Sequence, residues 1–171
     1  GTALAGSDFV ARSGSLSFAP GETAKTVKVT LTNDAAFESS EAFNVVLSAL
    51  TNATTLDNIG TAIIFENDAA PVSNSKIYVD DTFVDESQTY ADFQVRLDAP
   101  NTGTVTVNYS TFQNTAGNNS DFVPTSETLT FAAGEMVKTV RVSLLGNATQ
   151  EAIESFYLGL SAPSANATIT D

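Results

Sequence analysis

The 171-residue chain contains no cysteine and no histidine, and only seven of its residues are lysine or arginine. Without cysteine there is neither a disulfide framework nor a thiolate metal site. Without histidine, the chain lacks both the usual zinc ligand and the usual base of a serine hydrolase triad. Zinc enzymes and hydrolases of the Ser/His/Asp type are therefore excluded.

The shortage of basic residues leaves a strong excess of negative charge. Twenty aspartate and glutamate residues give a formal net charge of −13 at pH 7. Binding to nucleic acid or to an anionic membrane surface depends on patches of lysine and arginine, so we expect no nucleic-acid partner. The sequence has no apolar run of about 18 residues, and we expect no direct membrane insertion. Cations are the natural partners of such a chain.

The sequence repeats itself at a fixed spacing. Ser7-Asp8-Phe9 returns as Ser120-Asp121-Phe122, and Glu41-Ala42-Phe43 returns as Glu154-Ser155-Phe156, each after 113 residues. Acidic residues recur together with apolar ones, so the repeated module carries a polar site as well as a core. The repeat and the Pro-containing segment near residue 71 predict two domains, a partial one over residues 1–70 and a nearly complete one over residues 71–171.

Apolar residues alternate with polar ones in short runs that are separated by turn residues. This period of two predicts half-buried strands, as in Val27-x-Val29-x-Leu31 and Val105-x-Val107-x-Tyr109. The fold class that follows is all-β: two immunoglobulin-like antiparallel β-sandwiches in tandem. The recurring phenylalanines are predicted core residues; these are Phe9, Phe18, Phe43, Phe122, Phe131 and Phe156.

The first sandwich is predicted to lack its N-terminal strands. Three strand-like runs precede Asp121 in the second repeat, whereas only seven residues precede Asp8 in the first. Missing strands leave sheet edges and apolar surface open. Two explanations stay open: the sequence is a fragment of a longer chain, or a neighbouring chain donates strands and builds a fibre or homo-oligomer.

Several carboxylates of the first repeat fall at strand ends or in the loops that join them. Loops from alternate strand ends meet at one pole of a sandwich, where ionised carboxylates repel one another unless a cation lies between them. Oxygen ligands without histidine or cysteine select a hard cation, calcium before magnesium. We therefore expect Ca²⁺ as a partner of Asp8, Asp34, Glu38, Glu41 and Asp68.

An ordered series of motifs resembles the Calx-beta family, which includes the calcium-sensing domains of sodium–calcium exchangers. The motifs are Gly6-Ser7-Asp8-Phe9, Leu16-Ser17-Phe18-Ala19-Pro20-Gly21-Glu22, the run from Asn33 to Phe43, and Ile64-Phe65-Glu66-Asn67-Asp68. The resemblance implies metal ligands at the five carboxylates above. In the second repeat it implies ligands at Glu86, Asp121, Glu151, Glu154 and Asp171.

The second repeat departs from this pattern. Gly146-Asn147 stands where the first repeat has Asn33-Asp34. Fewer charges at a site of this kind mean weaker calcium binding, so we expect the first repeat to bind more tightly.

The interpretation that follows is a calcium-binding structural repeat of a large extracellular adhesin or matrix protein, at the cell surface and without enzymatic activity. Its expected partners are calcium and neighbouring repeats of the same or an adjacent chain. Calcium would stiffen the loop pole and the domain junction, where Asp80 and Asp81 are candidate ligands. The alternatives are a regulatory calcium sensor of a membrane transporter and a strand-donating fibre subunit. A carboxylate-pair glycosidase is disfavoured because no aromatic cleft is evident.

Overall fold

The computed structural model describes residues 1–65, 67–85, 87–147 and 152–170. These residues form nine strands, and the predicted all-β class is confirmed. The chain divides into two compact units, Gly1–Asp68 (unit one) and Ala69–Asp171 (unit two). Within the described ranges, no helix has the length and apolar character needed to cross a bilayer.

Unit one contains one antiparallel pair of strands. β1 (Glu41–Val46) and β2 (Ile59–Ile64) are hydrogen-bonded with Glu41 opposite Ile64. Residues 1–32 lie against this pair through a few contacts, among them the hydrogen bond from the Ala3 backbone N–H to the Ala42 carbonyl at 3.0 Å.

Unit two is a sandwich of two sheets. Its strands are β3 (Ser75–Val79), β4 (Tyr90–Leu97), β5 (Val105–Gln113), β6 (Ser126–Phe131), β7 (Val137–Ser143), β8 (Phe156–Ser161) and β9 (Ala167–Ile169). One sheet has the order β7-β4-β3-β9 and the other β6-β5-β8. The neighbouring strands run antiparallel, except that β9 pairs with β3 in parallel.

The core of unit two lies between these sheets and is built by the period-two pattern. Alternate residues of β4, β5 and β7 point inward and are buried, while their sequence neighbours face outward. The most deeply buried side chains are Ile77, Val95, Leu97, Val105, Val107, Phe122, Phe131, Val140 and Val142.

One end of unit two is closed by a network of neutral polar side chains. The amide nitrogen of buried Asn101 donates to Ser75 Oγ at 3.0 Å and to the Asn166 carbonyl at 3.0 Å. The Asn166 amide in turn donates to Asn101 Oδ1 and to the Thr104 carbonyl, both at 3.1 Å. Because Asn101 and Asn166 belong to different loops, the network joins the β4–β5 turn to the segment before β9.

The repeat in sequence is also a repeat in local geometry. Phe9 stacks on Phe43 with ring centroids 4.4 Å apart, and their counterparts Phe122 and Phe156 stack at 4.3 Å. Gly21 and Gly134 take up φ angles of 84° and 83° in equivalent turns. Only glycine adopts this left-handed conformation without strain, which explains its presence at both positions.

Unit one differs from unit two in the segments that correspond to β6 and β7. Residues 13–18 and 24–30 are described but form no strand, so the predicted strand through Val27 and Val29 is wrong for this structure. The physical reason is the absence of a neighbour. In unit two, β6 is bonded to β5 and β7 to β4, and residues 1–68 contain no counterpart of β4 or β5.

The same absence exposes residues that the pattern places in the core. Phe18 is 53% exposed whereas its counterpart Phe131 is fully buried, at 0%. Val27 is 41% exposed and its counterpart Val140 only 2%. The prediction that Phe18 is a core residue is therefore wrong here, while Phe43, Phe122 and Phe131 are buried.

These matched positions give a test of the core. We expect Phe131→Ala to lower the free energy of unfolding of unit two by about 3–5 kcal/mol, because it empties a fully buried site. Phe18→Ala should change the stability of unit one by less than about 1 kcal/mol. Urea unfolding followed by NMR signals of each unit measures both. Equal losses for the two variants would contradict the burial described here.

Candidate metal centre

A small cavity in unit one collects the carboxylates that the sequence analysis singled out. Its volume is about 50 Å³. The loops before β1 and after β2 form its walls together with the turn at residues 4–8. Its acidic lining residues are Asp8, Asp34, Glu38, Glu41 and Asp68.

Backbone hydrogen bonds set the position of Asp8. The Leu4 N–H donates to Asp8 Oδ2 at 2.5 Å, and the Asp8 N–H donates to the Leu4 carbonyl at 3.0 Å. The Thr32 N–H donates to the Asp8 carbonyl at 2.9 Å, which ties this turn to the loop that carries Asp34. Asp8 is thus held by backbone from two directions.

The stacking of Phe9 on Phe43 brings a second carboxylate, that of Glu41, beside Asp8. Phe9 follows Asp8 in the chain, and Phe43 lies two residues after Glu41 on β1. Stacking of Phe9 on Phe43 therefore places the Asp8 turn next to the start of β1. The result is contact between the carboxyl groups of Asp8 and Glu41.

That contact raises the pKa of Glu41 above its ordinary value. The main cause is the hydrogen bond with the Asp8 carboxyl group, followed by desolvation and by repulsion from the charges of Asp8 and Glu38. Two carboxyl groups share a hydrogen bond only while one of them keeps a proton. Ionisation of both groups therefore breaks this hydrogen bond, and a cation beside them would offset their repulsion.

Neutral oxygen atoms complete the lining. Thr32, Asn33, Ser39 and Asn67 also border the cavity. The Asn67 amide donates to Asn33 Oδ1 at 2.9 Å, and Asp34 Oδ1 accepts the Ala36 N–H at 2.7 Å. The sequence analysis did not name Thr32, Ser39 or Asn67 as ligands. The one available signal was their position in the sequence. Ser39 and Asn67 adjoin the predicted ligands Glu38 and Asp68, and Thr32 adjoins Asn33, which precedes Asp34.

The donor chemistry of this lining fits Ca²⁺. All of the donors are oxygen, and calcium accepts six to eight oxygen ligands in flexible geometry. Among the residues that the structure describes, however, no group of three or more acidic side chains is close enough to hold one ion as it stands. The carboxylates border the cavity without converging on one point.

Among the described residues, the corresponding end of unit two presents fewer acidic groups and more apolar side chains around its cavity. A cavity of about 330 Å³ is bordered by Asp85, Asp121 and Glu154 and by apolar side chains such as Leu144 and Ile153. Asp121 Oδ2 accepts the Gly117 N–H at 2.6 Å and the Ser120 hydroxyl at 3.0 Å. The predicted ligands Glu86, Glu151 and Asp171 lie outside the described residues.

Two further acidic residues of unit two have local partners. Asp85, which the sequence analysis did not name, accepts the Ser87 N–H on Oδ1 at 2.9 Å and so caps its own turn. Asp80, a candidate junction ligand, pairs with Arg96 through an Oδ2–Nε distance of 2.6 Å. The charge of Asp80 is thus compensated within unit two.

Comparison with known proteins identifies the module. The model of the Calx-beta domain family matches residues 1–70 and again residues 68–170. The chain belongs to the Calx-beta family. Two copies of the domain follow one another in it, as the internal repeat predicted.

The curated relatives of this Calx-beta chain include sodium/calcium exchangers. It is 32% identical to sodium/calcium exchanger 1 of Bos taurus over 183 aligned residues, which cover 95% of the chain and 19% of the exchanger. It is 30% identical to sodium/calcium exchanger 3 of Homo sapiens over 186 aligned residues, covering 95% of the chain and 20% of that protein. The chain thus spans about a fifth of the length of these relatives.

A solved structure supports the fold. The crystal structure of the apo-form Calx CBD1 domain matches with a TM-score of 0.51 at 21% identity, covering 57% of this chain and 88% of that domain. At this level of identity the match shows a shared β-sandwich fold.

Glu22, whose pKa is shifted in the direction opposite to that of Glu41, provides a control. Glu22 forms an ion pair with Lys25 and accepts the Ala19 N–H at 3.0 Å. The Lys25 ammonium, and then the Ala19 N–H, hold the pKa of Glu22 below its ordinary value. Glu22 therefore favours the folded state when ionised, whereas ionised Glu41 opposes it.

The two glutamates predict opposite responses to pH in the presence of a chelator. Glu41→Gln should raise the melting temperature of unit one at pH 7, because a raised pKa means that stability falls as pH rises through the folded-state pKa. Glu22→Gln should lower it at pH 7, since a lowered pKa contributes stability only above the unfolded-state value. Both differences should disappear at a pH well below the carboxyl pKa values, as measured by melts between pH 3 and pH 8.

Proposed function

We propose that this chain is a non-enzymatic pair of calcium-binding units whose stronger cation site is the cavity of unit one. The observation that carries the proposal is that five carboxylates border one small cavity, with the carboxyl groups of Asp8 and Glu41 hydrogen-bonded to each other. Ionised carboxylates that border one cavity repel one another, and a cation between them would relieve that repulsion. The names of the exchanger relatives, which refer to calcium, support the choice of cation.

The residues that would hold the ion come from separate segments of unit one. Asp8 lies in an N-terminal turn, Asp34 and Glu38 in the loop before β1, Glu41 at the start of β1, and Asp68 after β2. Calcium supplies positive charge and coordination that the protein itself lacks at this place. By joining these segments, a bound ion adds stability to the folded state by mass action.

Unit two should bind more weakly. Asn147 stands in place of Asp34, and the wider cavity is bordered in large part by apolar side chains. A site with fewer charged ligands binds Ca²⁺ with lower affinity.

For the biological setting we propose a structural repeat of an extracellular or cell-surface adhesin or matrix protein. The strongly acidic composition and the replacement of Asp34 by Asn147 in unit two support this role. The second candidate is the regulatory module of a membrane transporter, and the similarity to sodium/calcium exchangers supports it. The concentration of calcium at half-saturation separates the two, because an extracellular repeat operates at millimolar calcium and an intracellular sensor at sub-micromolar calcium.

A calcium titration tests the proposal. Isothermal titration and melts of the whole chain should show Ca²⁺ binding that stabilises unit one by about 2.7 kcal/mol at a hundredfold excess over Kd and so raises its melting temperature. Asp8→Asn should weaken this binding at least tenfold, since it removes a charge from the centre of the site. The matched variant Asp121→Asn, at the equivalent position of unit two, should leave the stronger site unchanged.

Magnesium provides the control for the type of cation. Mg²⁺ demands octahedral geometry at shorter distances and should bind far more weakly at a flexible site of this kind. No change in melting temperature between calcium and chelator would remove the metal from the proposal. An equal loss of the stronger site in Asp8→Asn and Asp121→Asn would show that the site is not in unit one.

A further inference from the structure

One outer face of unit two carries no charged side chain. Across the sheet β6-β5-β8 the outward residues are in register, and they are the even-numbered residues of β5 and β6 and the odd-numbered residues of β8. All of them are serine, threonine, asparagine, glycine or aromatic. Glu127, the one charged residue of these three strands, lies opposite buried Tyr109 and so belongs to the other side of the sheet. We call the outward surface of β6-β5-β8 the neutral face.

The outer face of the other sheet is charged. Arg141 pairs there with Asp92 at 2.8 Å, and Arg96 pairs with Asp80 at 2.6 Å. The chain as a whole has a net charge of −13. The absence of charge from the neutral face is therefore a local feature of one sheet and does not follow from the composition.

Two aromatic side chains lie on the neutral face. Phe112 and Tyr157 occupy opposite positions on β5 and β8, and they are 55% and 57% exposed. Opposite residues of an antiparallel pair have Cβ atoms about 5 Å apart, so the two side chains are neighbours on the sheet. Exposed apolar surface with a polar surround is typical of a binding site. We call these two side chains the aromatic platform.

Gly159 sets the position of the Phe112 ring. A methyl group on Gly159 would lie 2.8 Å from Cε2 and 3.3 Å from Cδ2 of Phe112. The ring therefore leans over the glycine and lies close to the backbone of β8. An aromatic ring over a glycine also protects the strand at that point, but this role does not involve Tyr157.

Unit one shows that the fold does not require the residues of β8 that build the platform. By the 113-residue spacing, Tyr157 and Gly159 correspond to Asn44 and Val46 of β1. β1 is a regular strand with these residues in place. The tyrosine and the glycine are thus particular to unit two.

Neutral hydrogen-bonding groups adjoin the platform. The Thr128 hydroxyl donates to Asn108 Oδ1 at 2.7 Å, which leaves the NH₂ group of Asn108 as the donor end of that side chain. Ser161 lies opposite Asn108, and Ser110 lies opposite Gly159. Hydroxyl groups both donate and accept hydrogen bonds, and an amide offers one end for each role. Sugar hydroxyl groups have the same double capacity.

We propose that the neutral face of unit two binds a neutral β-linked polysaccharide. A pyranose ring with equatorial hydroxyl groups presents C–H groups on its faces, and these pack on the electron-rich faces of Phe112 and Tyr157. The sugar hydroxyls exchange hydrogen bonds with Asn108 and with the serine and threonine hydroxyls beside it. A β-linked chain of such rings forms a flat ribbon, which matches the surface of a sheet.

The charge of the protein supports a neutral ligand. An anionic polysaccharide would be repelled by a chain of net charge −13, and a cationic one would find no carboxylate on the neutral face. A glycan without charge meets neither obstacle. Since β5 and β8 contain no carboxylate, the proposal is for binding without cleavage of the sugar chain.

Cellohexaose, a soluble oligomer of β-linked glucose, is the probe. We expect saturable binding to the 171-residue chain in an NMR titration, with shifts confined to β5, β6, β8 and the turns that join them. Maltohexaose contains the same glucose units in α linkage and curves away from a flat surface. It should bind about tenfold more weakly, because fewer of its rings can reach the platform at once.

Substitutions of exposed tyrosines test the role of the platform. Tyr157→Ala should weaken cellohexaose binding about tenfold, because it removes one of the two stacking surfaces. Tyr157→Phe keeps the ring and should bind within about twofold of the parent chain. Tyr90→Ala, which removes a half-exposed tyrosine from the outer face of the other sheet, should leave the affinity unchanged.

Gly159→Ala tests the position of the Phe112 ring without removing an aromatic group. The added methyl group should displace the ring and weaken binding about fivefold, while urea unfolding of unit two changes little. The double variant of Gly159→Ala and Phe112→Ala should bind like Phe112→Ala alone, because the glycine acts only through that ring.

Several results would overturn the proposal. They are an absence of saturable binding at millimolar cellohexaose, shifts that map to the outer face of the other sheet, and equal affinities for the β-linked and α-linked oligomers. A concentration-dependent dimer that Tyr157→Ala dissociates and cellohexaose does not would show that a second copy covers the neutral face. The titrations are made both in calcium and in chelator, because the neutral face contains none of the predicted calcium ligands. Sugar binding and calcium binding therefore succeed or fail separately.

Discussion

A strand at the edge of a sheet has a single neighbouring strand. When that neighbour is missing, the backbone N–H and C=O groups of the edge segment can form hydrogen bonds only with water. β7 and residues 24–30 are identical at four of seven equivalent positions, and only β7, which lies beside β4, is a strand. The buried state of Val140 and Phe131 follows from that pairing, because the neighbouring strands bring the opposite sheet into place over them. Most of the contrast between the two units can be traced to this one difference in hydrogen-bonding partners.

The stacked phenylalanines have the same arrangement in both units, whereas the loop residues beside them differ. The rings of Phe9 and Phe43 and those of Phe122 and Phe156 have nearly the same separation. Each pair brings an aspartate turn next to the start of a strand that begins near a glutamate. What differs is the adjoining loop, which offers Asp34 in unit one and Asn147 in unit two. The module thus keeps its geometry while the charge at its pole changes, so cation affinity can vary without a change of fold.

Sequence periodicity was sufficient for the class of fold and for the strands of unit two, because each of those strands has its neighbours within the chain. It failed for Val27 and Phe18, since alternation reports a tendency to be half-buried and cannot report whether a partner strand is present. The contact between Asp8 and Glu41 also required three-dimensional information. It depends on the ring stack beneath the two residues, which are far apart in sequence. Neutral lining groups such as Ser39 carry no charge pattern, and only their position next to a predicted acidic ligand distinguished them from other loop residues.

The closed end of unit two has a consequence for covalent modification. Asn166-Ala167-Thr168 is an acceptor sequence for N-linked glycosylation. Both hydrogens of the Asn166 side-chain amide are engaged in the folded unit, one by Asn101 Oδ1 and one by the Thr104 carbonyl. A sugar attached to that nitrogen would replace one of these hydrogens and would need space where the two loops touch. In any host that glycosylates secreted chains, an oligosaccharide on Asn166 would therefore mark a molecule that was modified before it folded, and whose two loops had been kept apart.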